Sequence, residues 1–160
     1  MKRTKQMAIG GVIAVVLYAA WAAVVILVLN PLAAVTGTGL GAIYAEMDAV
    51  GETMPIGMAL LWLSFGVALA AVIAIANVRA RSRAESVAVQ MLVVLAFGAP
   101  GYFAASFGPG MSLADTFGIS GGDYSWGAVP LYTVSLLSAG AAIGLIARRS
   151  IRPRPATRTV

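Results

Sequence analysis

The chain contains neither cysteine nor histidine. That removes disulfides, thiol nucleophiles, imidazole bases, haem ligation through histidine and the usual zinc ligands. Charge is scarce as well: 11% of residues are Asp, Glu, Lys or Arg, against roughly 25% in a soluble domain. Only carboxylates, hydroxyls and carbonyls remain as ligating groups, and these suit hard cations.

Apolar residues make up 60% of the 160, a length that suits one domain. They fall into four long runs: 7–29, 56–78, 87–107 and 127–147. These runs hold 23, 23, 21 and 21 residues. About 20 helical residues cover the roughly 30 Å hydrocarbon core of a bilayer, so each run is expected to span it once. The basic start and Ala33-Ala34 are also features of a cleaved signal peptide. The first run, however, exceeds the roughly 7–15 apolar residues of a signal core, so a retained span is the expectation.

The charges are sorted along the chain. The 11 basic residues form three clusters: Lys2, Arg3 and Lys5; Arg79, Arg81 and Arg83; and Arg148, Arg149, Arg152, Arg154 and Arg158. Five of the 6 acids, Glu46, Asp48, Glu52, Asp115 and Asp123, lie in the two segments between those clusters, and only Glu85 sits with the bases. Short loops rich in Lys and Arg stay in the cytoplasm. The expectation is therefore an all-α, polytopic four-helix transmembrane bundle with both termini cytoplasmic. The excess of Arg over Lys and the abundance of Ala and Gly point to a GC-rich bacterial genome, hence a bacterial plasma (inner) membrane.

Between the first two spans, Asn30-Pro31 reads as a helix stop. In 40–54, Leu40, Ile43, Met47, Val50 and Met54 recur at helical spacing while Glu46, Asp48 and Glu52 fall off that stripe. This is a short amphipathic helix on the outer surface or capping the bundle. The segment 108–126 carries Gly108-Pro109-Gly110 and Gly121-Gly122 and reads as a loop, with one turn over 112–117 capped by Ser112. The tail 148–160, basic and carrying Pro153 and Pro155, is expected to be disordered.

The candidate binding residues are the large rings in the outer halves of the spans: Trp21, Trp62, Phe65, Tyr102, Phe103 and Tyr132. The other halves are built from Gly, Ala, Val, Ile and Leu, so a bundle tight at the cytoplasmic end and wider outside is expected, with an outward-facing aromatic pocket for a lipid-like ligand. Pro100-Gly101 and Pro130 place hinges at that depth. The bland alternative is that these rings are packing units. Gly140 and Gly144 form a GxxxG motif, and Gly66, Ala70 and Ala74 a similar stripe; either could pack helices within the chain or between two chains.

Asp48 and Glu52 with Asp115 or Asp123 could gather around a divalent cation, but ordinary amphipathicity explains them as well, and neither a metal nor another cofactor is expected. The basic clusters face anionic headgroups. No aromatic residues interleave with them as nucleic-acid binding would require. Membrane lipids, and a partner membrane protein or a homo-oligomer, are the expected partners. The small four-span multidrug exporters resemble this chain in span number only, since no carboxylate lies within a span where a proton-coupled pump needs one. No nucleophile and base are paired by spacing. The leading expectation is a non-enzymatic accessory, assembly or regulatory subunit, or an apolar-ligand binder. A component of an oligomeric transporter or channel comes second, and a membrane enzyme using outer carboxylates third.

Overall fold

The computed structural model describes residues 2–151. Among them the regular structure is helical throughout. Helix α1 (Lys2–Val24) passes through a π-helical turn (Val25–Leu29) into α2 (Asn30–Ala34). A short α3 (Leu40–Ala49) leads to α4 (Ile56–Arg79). Helix α5 (Ala84–Ala96) bends at Phe97 into α6 (Gly98–Phe117), and a 3-10 turn (Trp126–Ala128) opens α7 (Val129–Ile151). Four of the resulting rods are long and apolar enough to cross a membrane: Lys2–Ala34, Ile56–Arg79, Ala84–Phe117 and Trp126–Ser150. They contain the four apolar runs.

The rods form a bundle in which α1 packs along α4 and α5, α4 along α6, and α5 along α7. The bases described lie at one end and the acids, Glu85 excepted, at the other. Toward the basic end, Ala8, Val15, Ala70, Val87 and Met91 form a core. Gly11 is needed there, because the Met91 side chain occupies the place its Cβ would take. Toward the acidic end, Ala22, Val25, Ile26, Ala59, Leu63, Tyr102 and Leu131 form a second core. The helices thus pack on buried residues at both ends, and the open space between them lies at mid-height.

Asn30-Pro31 does not stop the first helix, which runs on to Ala34. Pro31 has no N–H to give the carbonyl of Leu27, its i−4 partner. The backbone widens to π register just before it, with Asn30 N–H bonding to Val25 O, and the freed Leu27 carbonyl accepts the Tyr44 hydroxyl at 2.6 Å. A side chain from α3 supplies the missing bond.

Gly108-Pro109-Gly110 is not a turn either: α6 continues to Phe117. The glycines serve close packing. A Cβ on Gly110 would stand 2.6 Å from the carbonyl oxygen of Gly121, and one on Gly108 would stand 3.2 Å from Pro55. The helix ends at Gly118, in the left-handed region at φ 63°, which glycine adopts without steric cost. Ser112 therefore caps nothing; it lies inside α6, its carbonyl accepting from Thr116 Oγ1 at 2.8 Å.

Helix α3 ends at Ala49 instead of reaching Met54, because Gly51 turns the chain at φ 84°. Ile43 and Met47 are buried on Leu113 of α6, with Met54 packed alongside, while Val50, beyond the helix, is exposed. The helix thus caps the bundle. At the other terminus α7 extends through Arg148 and Arg149 to Ile151, where cations suit a helix C-terminus; the tail thus begins as helix. The remainder of the tail expected to be disordered, with Arg152, Arg154 and Arg158, lies outside the described residues.

Candidate functional site

The bend at Phe97 opens a cavity between the helices. Pro100 has no N–H for the carbonyl of Ala96, and its ring crowds that carbonyl, so α5 ends at Ala96 and Phe97 takes φ −76°, ψ 0°. The carbonyl of Leu95, one residue earlier, accepts from Ser135 Oγ of α7 at 3.0 Å. Ser135 in turn lies 3.2 Å from the hydroxyl of Tyr18 on α1. With its own proton on Leu95, Ser135 accepts from Tyr18, whose hydroxyl proton is shared with Leu131 O at 3.3 Å. The Tyr18 ring passes beneath Gly98, where a Cβ would stand 2.6 Å from the ring carbon Cζ. Two helices, α1 and α7, therefore hold the bend from below.

Below the bend α5 leans on α1 and α7; above it α6 leans on α4. Between α4 and α5 a cleft of about 600 Å³ remains. This volume lies within the roughly 300–1,000 Å³ of small-molecule sites. Val15, Tyr18 and Ala19 of α1 form its floor, and Trp62, Phe65, Gly66, Leu69 and Ile73 its α4 wall. The facing wall comprises Val89, Gln90, Val93, Phe97, Gly101 and Tyr102 among others. Trp62 and Ile73 are separated by about 16 Å along the helix. The rim residues Trp62, Phe65 and Phe97 are 49%, 67% and 69% exposed, so the cleft opens sideways, between the helices.

Gln90 is the polar exception. Its Oε1 accepts from Asn77 Nδ2 at 2.5 Å, and Asn77 also donates to Ile73 O at 2.8 Å. The Gln90 amide NH2 makes no hydrogen bond among the described residues. The Tyr18 hydroxyl is directed to α7, and that of Tyr102 to Asp123, so both tyrosines present mainly ring surface to the cleft.

Of the six expected aromatic residues, the structure gathers Trp62, Phe65 and Tyr102 around this cleft. Trp21 lies elsewhere, its Nε1 donating to Gly127 O at 2.9 Å and tying α1 to the start of α7. Tyr132 donates to Asp123 Oδ2 at 2.7 Å and meets Tyr102 edge-on, with ring centroids 5.7 Å apart. Phe103 is exposed on α6, 6.1 Å from Phe107 between ring centroids. Tyr18, Phe97 and Gln90 complete the cleft without having been picked out as ligand-binding. Gly66 leaves it open, whereas Ala70 is buried and Ala74 half-buried in the packing against α1. Gly140 and Gly144 are exposed on α7, with nothing within 4 Å of where a Cβ would stand.

The acidic end is latched. Asp123 accepts from Tyr102 at 2.6 Å as well as from Tyr132. Asn30 Oδ1 accepts from the backbone N–H groups of Tyr124 and Ser125 at 2.7 and 3.3 Å. Among the described residues no three Asp or Glu side chains gather to hold a metal ion; Asp48, Glu52, Asp115 and Asp123 do not converge. Burial raises the Tyr44 phenol above its ordinary value.

Comparison with protein-family models, with curated proteins and with solved structures finds no match. The fold and site define a class only: an all-helical four-rod bundle with an apolar lateral cleft.

Proposed function

We propose that this chain is a multi-pass protein of a bacterial plasma membrane that performs no chemistry of its own and holds an apolar, lipid-like chain in the α4–α5 cleft, as an accessory, assembly or regulatory subunit. The cleft carries this reading: it is apolar, of ligand size and open to the side. The outward surface supports the membrane setting. In each of the four rods at most 22% of the most apolar window is buried inside the chain, and large side chains such as Leu17, Leu136 and Ile143 point outward. Water would penalise that surface by about 25 cal/mol per Å², and hydrocarbon would not. Basic residues at one end and acids at the other favour cytoplasmic termini.

The cleft is tested by filling it. Gly66 has no atom within 4 Å of its Cβ position and lines the cavity, so Gly66→Phe should occupy the space while the helices stay packed. Full-length protein purified in mild detergent should retain lipid by native mass spectrometry, and the variant should lose it; unchanged retention would reject the cleft as a binding site. Orientation is tested by labelling, which the absence of cysteine makes clean. Glu46→Cys should react with an impermeant maleimide added to intact cells, and Arg81→Cys should not.

The open Gly140/Gly144 face favours a second reading, a component of an oligomeric transporter or channel. Reconstituted liposomes that pass solute under an imposed gradient would support it over the first.

A further inference from the structure

The Gln90 amide NH2 lines the cleft without a hydrogen-bond partner among the described residues, and its position names a ligand class. We infer that the occupant is an anionic glycerophospholipid from the leaflet at the Arg-rich end, with one acyl chain lying in the cleft and an ester carbonyl on the Gln90 amide. This rests on the cleft being a lipid site, as proposed above.

Three observations converge. The first is chemical. Asn77 occupies the Gln90 oxygen and leaves an NH2 that can only donate. Gln90 is exposed along the cleft, so in a bilayer this NH2 faces lipid and favours an acceptor such as an ester carbonyl, because an unpaired amide in hydrocarbon is costly.

The second is depth. Gln90 lies six residues beyond the first residue of α5, about 9 Å along the helix axis. The headgroup region on each side of a bilayer is roughly 5–8 Å thick, so Gln90 sits near its lower boundary, where glycerol esters lie. From Ile73, one turn from Asn77, the cleft runs toward Trp62, about 16 Å away along α4, a length suited to one extended chain. The second chain remains in the bilayer beyond the lateral opening.

The third is charge. Exposed Arg79, Arg81 and Arg83 occupy the connection between α4 and α5, at the end of the two helices nearer Gln90. Arg83, at the N-cap of α5, precedes Gln90 by seven residues, about 10 Å along the helix axis. The nearby acid, Glu85, faces Arg149, whose Nε lies 3.3 Å from Oε1. The connection at this end is therefore basic and suits, at headgroup level, a phosphodiester with no compensating ammonium.

The test titrates full-length protein in mild detergent with phosphatidylglycerol, with phosphatidylcholine of the same chains, and with a prenyl quinone, reading occupancy by native mass spectrometry. Phosphatidylglycerol should be retained about tenfold better than phosphatidylcholine, and Arg79→Ala with Arg83→Ala should erase that preference. Gln90→Glu keeps the acceptor for Asn77 but replaces the donor with a negative charge, and should weaken phosphatidylglycerol at least about tenfold. Gln90→Met serves the same purpose if Gln90→Glu does not fold. Equal retention of the two phospholipids, stronger retention of the quinone, or indifference to both Gln90 variants would overturn the assignment. If Gly66→Phe still abolishes binding in those cases, the cleft survives as a lipid site and only this ligand is wrong. If Gly66→Phe changes nothing, both fall.

Discussion

The hydroxyl of Tyr102 lies 2.6 Å from Oδ1 of Asp123, a bond that joins a side chain only 1% exposed to a loop residue at the surface. The other carboxylate oxygen accepts from Tyr132, so one loop residue ties α6 to α7. Removing the acceptor leaves a buried phenol without a partner, which costs about 1–3 kcal/mol. Asp123→Ala should therefore lower the thermal unfolding temperature of the detergent-solubilised protein more than Tyr102→Phe does, since the latter leaves only a water-accessible carboxylate unpaired. Adding Tyr102→Phe to Asp123→Ala should recover part of the loss. Independent, additive losses would show that the bond holds nothing.

The glycines of α6 should differ sharply in tolerance. A Cβ on Gly98 would meet the Tyr18 ring at 2.6 Å, and that ring is held by its hydroxyl, so Gly98→Ala should cost about 1–3 kcal/mol by overpacking. A Cβ on Gly110 would meet the Gly121 carbonyl oxygen at 2.6 Å. That atom belongs to the backbone, not to a movable side chain, so Gly110→Ala should be the more damaging. Gly101, with nothing within 4 Å, should accept Ala with no loss or a small gain, as helix interiors favour Ala by about 0.5–1 kcal/mol. Thermal melts of the three variants check the order.

The same residues show where the sequence is readable. Four spans follow from run length against bilayer thickness, a comparison that needs no tertiary information. The bend at Pro100 was legible for the same local reason. Asn30-Pro31 and Gly108-Pro109-Gly110 carry identical local signals and yet lie inside helices. In the first, Tyr44 from another helix replaces the lost bond; in the second, the glycines receive a neighbouring loop and Pro55. Trp62, Phe65 and Tyr102 could be picked out as large rings at one depth. The role of Gln90 could not, because its free donor depends on Asn77 lying across the α4–α5 turn.

Tyr44 gives a pH-dependent test. Its phenol is raised by burial above the ordinary 10.0, so the folded chain holds that proton more tightly than the unfolded chain. The stabilisation this provides is complete below pH 10 and is lost as pH rises through the higher folded value. Tyr44→Phe removes the partner of Leu27 O, which should cost about 0.5–1.5 kcal/mol at neutral pH. It should also make the decline in unfolding temperature above pH 10 shallower than in the unaltered protein. Parallel declines would mean that Tyr44 does not report on the fold.

Gly140 and Gly144 separate packing within the chain from packing between chains. Both are exposed, with open space where a side chain would stand, and Leu136, Leu137 and Ile143 beside them are 74%, 67% and 68% exposed. Nothing in the monomer rests on the two glycines, so Gly140→Ala and Gly144→Ala should not lower monomer stability, and the better helix propensity of Ala should offset any loss. Gly140→Leu should be equally harmless to the monomer. If two copies meet through this face, however, the added bulk would hold the backbones apart where small residues permit close approach. Cross-linking in native membranes, read beside the melts, distinguishes the cases: dimers lost with the melt unchanged place the second copy on α7, while dimers unaffected by Gly140→Leu leave this face to lipid.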